Sequence, residues 1–198
     1  MVTPRPLHVR WLGRVPYRDA LALQHGLHRE SPDHHLLLME HPHTYTLGVR
    51  ADERHVLVPP ASVGAELVRS DRGGDVTYHG PGQVVGYPIV DLAPDLCDVR
   101  KYVGYLEEAM IRTAADFGCK AGRIDGWSGA WLGEKGKDAR KIGAIGVHIS
   151  RWITSHGFAF NVATNLDHFK LIVPCGIEEA GVTSLEKELG RPVALAEV

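Results

Sequence analysis

Cysteine is scarce in this chain: 198 residues contain three, Cys97, Cys119 and Cys175. An odd number with no CxxC spacing excludes a disulfide framework and a paired-cysteine zinc knuckle. No apolar run reaches the roughly 18 residues of a membrane-spanning helix. The first residues carry arginines with Pro4 and Pro6 and lack the apolar stretch of a secretory leader. Neither sign of charge dominates, since 22 Lys and Arg stand against 24 Asp and Glu, a net of −2. A general nucleic-acid binder would carry a clear basic excess. Hydrophobic residues make up 44% and charged residues 23%, which excludes wholesale disorder. The expectation is a soluble, cytoplasmic protein of a reducing compartment, with no affinity for nucleic acid or membrane.

What is present has the size of one domain, and residues 1–198 are read as a single catalytic unit without linker or repeat. A helix is predicted from Pro16 to Glu30, with Tyr17, Ala20, Leu21, Gln24 and Leu27 on one stripe. Leu36–Met39 and Val84–Val90 read as strands, and a longer helix spans about Val99 to Phe117 before Gly118. Trp127–Gly133, Arg140–Ile149 and Trp152–Val162 read as antiparallel strands, with a hairpin turn over Glu134–Asp138. A last helix runs from Ser184 to Leu189, with Thr183 and Glu186 in capping-box spacing and Gly190 as its stop. Helices mixed with hairpin-joined strands predict an α/β (α+β) fold with a mixed or antiparallel sheet and flanking helices, not a doubly wound one.

Glycine is the conspicuous surplus, at 22 residues. Five of them, at 73, 74, 80, 82 and 86, fall in Arg72–Tyr87, interleaved with Arg72, Thr77, Tyr78, His79 and Gln83. Bare backbone lets a ligand or another strand approach closely. The segment fits neither a P-loop nor GxGxxG opening a helix, and a plain turn between two strands accounts for the spacing equally well. Twelve histidines include the cluster His34, His35, His41 and His43, with His28 nearby. Their spacing fits no zinc pattern, so neither metal nor cofactor is expected. His79 would be the base if the chain were a cysteine hydrolase.

Arg72-Gly73-Gly74, Thr77-Tyr78-His79, Gly82-Gln83 and Tyr87 together resemble the signature of the lipoyl(octanoyl) transferases. The similarity continues in order through Glu40-His41, Tyr45–Gly48, Lys141–Gly146, His156–Asn161, Pro174–Ile177 and Gly181–Leu185. The resemblance implies the fold of biotin protein ligases and lipoate-protein ligases, and a monomer. It implies that Cys175 carries the acyl group as a thioester and that Lys141 is its partner. Octanoyl-acyl carrier protein would be the donor. The acceptors would be apo lipoyl domains of 2-oxoacid dehydrogenase complexes and the glycine cleavage H protein. An octanoyl amidotransferase acting between lipoyl domains, a cysteine thioesterase, and a non-enzymatic carrier-binding module are the rival readings.

The residues can carry that chemistry. A free cysteine is mostly a core filler, the reading kept for Cys97 and Cys119; Cys175 differs in following the apolar run Leu171–Val173 and lying between Pro174 and Gly176. A thiol with an ordinary pKa of about 8.5 needs a cationic neighbour or a base. The acyl slot is expected to be lined by Arg72, Gly73, Gly74, Asp75, Val76, Thr77, Tyr78 and His79, by Ala144, Ile145 and Gly146, and by Gly157, Phe158 and Ala159. Backbone N–H groups from Gly143 to Gly146 and at Cys175-Gly176 are candidates for the oxyanion. Arg50, Arg54, Arg69, Arg72 and the run Lys135–Arg140 are candidates for docking an acidic carrier.

Overall fold

The computed structural model describes residues 5–173 and 180–198. Its elements are β1 (Leu7–Arg14), α1 (Tyr17–Glu30), β2 (His34–Glu40), β3 (Thr44–Leu47), β4 (Glu66–Arg69), β5 (Val76–His79), β6 (Gln83–Ile89), α2 (Val99–Asp116), β7 (Gly122–Ile124), β8 (Trp127–Leu132), β9 (Arg140–Ser150), β10 (Ile153–Asn161), β11 (Gly181–Val182) and α3 (Leu185–Leu189). The main sheet runs β1-β2-β6-β10-β9-β8-β7, and β11 also pairs with β9. A second sheet runs β4-β3-β5. The β1–β2, β9–β11 and β3–β4 pairs are parallel and the others antiparallel.

Most of the expected elements are present. In α1, Tyr17, Ala20 and Gln24 are buried, with Leu21 and Leu27 packed beside them. The first turn of α2 is capped by the Asp98 carboxylate, which accepts the Lys101 N–H. At α3 the cap is Ser184, not Thr183: the Ser184 hydroxyl accepts the Lys187 N–H, while the Thr183 hydroxyl donates to Glu188. Gly190 closes α3 in the left-handed region at φ 63. The apolar run Leu171–Val173 forms no strand: a 3-10 helix runs from Leu166 to Leu171 and Ile172 makes a single bridge to Val56. Strand β1 and the second sheet were not expected. The three strands of that sheet have four residues each, too short for an alternation to stand out.

The two faces of the main sheet have different cover. One packs against α2 and α3 through Met110, Ala114, Ile142, Phe160 and Leu185. The other carries α1 over Leu37, Met39, Val85 and Tyr87, and further along it faces the second sheet. That sheet buries Tyr45, Leu47, Val76 and Tyr78 on its far side, against Phe169 and Ile172. The turn Gly80-Pro81-Gly82 links the two sheets. At Gly82 (φ 82) the carbonyl accepts the N–H groups of Val162 and Ala163 and the Thr164 hydroxyl. A side chain there would collide with Ala163.

The pairing of β8 with β9 contains one irregularity that orients the site. Ala130 faces Gly143, but the next residue, Trp131, faces Lys141, so Ile142 is an extra residue on β9. Ile142 is fully buried against the α2 layer, and a side chain on Gly143 would meet the Met110 sulfur on the same side. Two successive residues therefore face α2. Lys141 and Ala144, three apart, share the opposite face, whereas strict alternation would separate them.

Gly143→Ala should overpack Met110 and destabilise by roughly 1–3 kcal/mol, each kcal/mol lowering Tm by roughly 2–4 °C in a chain of this size. Thermal unfolding of the single variants and of Gly143→Ala/Met110→Ala checks this. The double variant should lose less than the sum of the two single losses.

Candidate active site

The cavity between the two sheets is walled by small residues on one side. Ala144 and Gly146 of β9 pair with Ala159 and Gly157 of β10, and all four line it together with Ile145 and Phe158. Opposite stand Thr77 and His79 of β5, with Arg72, Gly74 and Asp75 of the preceding loop. Tyr17, Tyr87 and His156 complete the wall. Thr77, Ala144 and Ala159 also belong to the adjoining cavity that holds Lys141, Trp131, Gln83 and Asn161. An apolar slot thus runs on to the lysine.

Strand alternation corrects part of the expected lining. Thr77 and His79 face the slot, but Val76 and Tyr78 point to the far core, where Tyr78 stacks on His168 at 4.6 Å. Gly73 donates its N–H to the Val147 carbonyl and lines a neighbouring cleft instead of the slot. Cys175 lies outside the described residues, as do Pro174 and Gly176. Cys119 is buried, and burial pushes its thiol pKa up, in keeping with a core filler. Cys97 is exposed.

Arg72 is buried with its guanidinium donating to the Thr46 carbonyl and hydroxyl and to the carbonyls of Gly73 and Asp75. It braces the glycine-rich loop and is not available to dock a carrier. Lys141 is half-buried with its ammonium over the Trp131 ring, 4.5 Å from the centroid. The ring face attracts the cation and fixes where it sits. The Lys141 carbonyl accepts the Thr183 N–H, which ties β11 to this point of β9.

Hydrogen-bond polarity can be followed from a backbone anchor. Asn161 donates to the Thr183 carbonyl, so its oxygen faces Gln83, whose amide donates to it at 2.9 Å. The Gln83 oxygen is left for His79 Nδ1 at 2.8 Å, and that nitrogen must donate. Burial, then the neighbouring His41, hold the His79 pKa well below the ordinary histidine value. A neutral, inward-locked imidazole does not suit a hydrolase base. His41 is set the same way: Nδ1 donates to the Val15 carbonyl, and Nε2 accepts the Tyr87 hydroxyl. Burial pushes His41 down to about 4.

Gln83, Asn161, Tyr87 and His156 belong to the sequence blocks but were not chosen as lining; Tyr17 was read only as part of the buried stripe of α1, and Trp131 carried no signal beyond being aromatic. Among the described residues no group of His, Cys, Asp or Glu is arranged to hold a metal ion, and no helix is long and apolar enough to cross a membrane.

The lipoyl protein ligase A/B catalytic domain matches residues 16–198. The chain belongs to that family. An octanoyltransferase of Myxococcus xanthus is 55% identical over 196 residues, covering 94% of this chain and 55% of its own length. Another, of Mycolicibacterium gilvum, is 50% identical over 200 residues, covering 98% and 81%. Within the family the chain groups with these acyltransferases. Solved structures at lower identity share the fold. A lipoate-protein ligase A bound with ATP has a TM-score of 0.71 at 18% identity, covering 98% of this chain and 81% of its own. The biotin protein ligase of Aquifex aeolicus has a TM-score of 0.56 at 10% identity, covering 96% and 64%.

A histidine held neutral only by burial takes up a proton on unfolding. For His41 the folded pKa is the lower one, so its contribution is full above the unfolded value of about 6.5 and is lost as pH falls toward 4. Stability should decline across that window, His41 accounting for up to roughly 3 kcal/mol. Urea titrations at several pH values check this, and His41→Gln should flatten the slope.

Proposed function

We propose that the chain transfers an octanoyl group from octanoyl-acyl carrier protein to a specific lysine of apo lipoyl domains, with Cys175 carrying the acyl group between them. The observation that carries this reading is the apolar slot that leads to Lys141 in a member of this family. Eight carbons at ~0.8 kcal/mol per CH₂ give roughly 5–6 kcal/mol of apolar burial before ordering costs. The acceptor domains of 2-oxoacid dehydrogenase complexes and of the glycine cleavage H protein follow from the same relationship.

In the first half-reaction Lys141 takes the Cys175 proton. The thiolate attacks the donor thioester, the new C–S bond forms as the old one breaks, and Lys141 gives its proton to the departing thiolate. In the second, Lys141 takes a proton from the incoming amine, the amide forms, and the proton passes to the released Cys175 thiolate. Thioester exchange is close to thermoneutral and amide formation is downhill, so the scheme needs no ATP. Covalent catalysis divides one difficult transfer into two easier ones. Gly143 pairs with β8, and Ala144 and Gly146 pair with β10. Their N–H groups are therefore engaged, which leaves Ile145 and Cys175-Gly176 as the oxyanion candidates.

Cys175→Ser should abolish transfer, measured as octanoylated acceptor by mass spectrometry, while Cys119→Ser stays active. In a Cys97→Ser background, Lys141→Ala should shift the pH profile of Cys175 alkylation upward, and Lys141→Arg should not restore turnover because arginine cannot accept the proton. Turnover by Cys175→Ser at a comparable rate, or an unmoved alkylation profile, would reject the dyad. Of the basic docking candidates, Arg54, Arg69 and Arg140 are already paired with Asp52, Glu53 and Glu188. Lys135 donates to the Asp125 carbonyl and lies over the Trp127 ring, so Arg50 and Lys137 remain for an acidic carrier. Affinity for the protein-borne donor should therefore fall with salt, while that for a small octanoyl thioester changes much less.

A further inference from the structure

Beside the acyl slot lies a second, more polar cleft of about 550 Å³. Lys141, Ile145 and Gly146 form its floor, Gly73–Asp75 one wall, and Trp127 with Ser128 the other; Arg50 also borders it. The cleft exists because the β8–β9 ladder stops. Gly143 is the last β9 residue with a partner on β8, and Val147 accepts the Gly73 N–H on the same edge. A residue's N–H and C=O point to the same edge of a strand, and the edge alternates along it. Ile145, midway between Gly143 and Val147, therefore presents both backbone groups to the cleft. Among the described residues no strand pairs with them there. A free donor and acceptor side by side match a secondary amide, as when an extended segment adds to a sheet edge. No described carboxylate forms an ion pair with Arg50, which is exposed.

We propose that this cleft receives the extended, amide-bearing arm of a phosphopantetheine-type thioester donor. One arm amide would pair with the Ile145 backbone, and Arg50 would meet the arm's phosphate. The acyl chain would then enter the slot past Lys141 while the arm leaves along β9. This rests on the thioester-donor reading above. It adds where the donor is recognised apart from its acyl chain and its carrier protein.

The test compares three octanoyl thioesters of growing arm: N-acetylcysteamine with one amide, pantetheine with two, and 4′-phosphopantetheine with two and a phosphate. kcat/KM should rise along the series, with the last step worth about tenfold in the wild type. In Arg50→Ala that last step should shrink to less than twofold. Titration of the 15N-labelled protein with acyl-free 4′-phosphopantetheine should shift the Ile145 amide resonance. Equal kcat/KM for all three donors, or a phosphate step that survives Arg50→Ala, would overturn the proposal. So would displacement of a short donor by a lysine-containing acceptor peptide but not by free pantetheine, since the cleft would then belong to the acceptor. Failure of the donor reading gives a different result: no thioester, including octanoyl-acyl carrier protein, would support transfer at all.

Discussion

The two facing sheets are tied together around one buried guanidinium. Arg72 donates to Thr46 on the second sheet and to carbonyls of its own loop. The loop is tied in turn to the main sheet where the Gly73 N–H reaches Val147. Side chains on Gly48 or Gly146 would press on the same arginine. Removing a buried cation from water is costly, and only its hydrogen bonds offset that cost. The guanidinium's donors fit this loop conformation, and residues of the same loop line the slot.

Around this brace the polar groups of the wall are arranged to stay neutral. His41 and His79 are uncharged through burial, and Gln83 and Asn161 satisfy one another and the Thr183 backbone. These neutral groups can border an acyl chain without a charge to desolvate, and the charges that the wall does carry, on Arg72 and Asp75, are held in hydrogen bonds. The Lys141 ammonium, which lines the adjoining cavity, is held over an aromatic face.

The sequence was legible where the pattern was long. Helices α1 and α2 and strands β8, β9 and β10 had enough residues for their periods to show. The glycine-rich segment could be recognised as more than a turn by its side chains. That Thr77 and His79 would face one way and Val76 and Tyr78 the other could not be read while that segment was taken as a loop. Strand β1 was hidden for a different reason: Leu7, Val9 and Trp11 stay exposed, so its alternation does not separate core from solvent. The extra residue Ile142 had no local signal either, because a bulge is a property of two strands and only one is visible at a time.

That bulge makes the Lys141 motif dependent on a segment that contains none of its residues. Lys-Ile-Gly-Ala has the parity to place lysine and alanine on opposite faces, and the offset arises only because β8 supplies Gly129 and Ala130 where it does. Gly129, at φ 114, fits closely against the Gly143 carbonyl and donates its N–H to the Glu107 carboxylate of α2. The lysine's direction is thus encoded jointly, by a dipeptide a dozen residues upstream and a helix earlier still. A chain carrying the same Lys-Ile-Gly-Ala beside a regular strand would turn its lysine toward the helix layer.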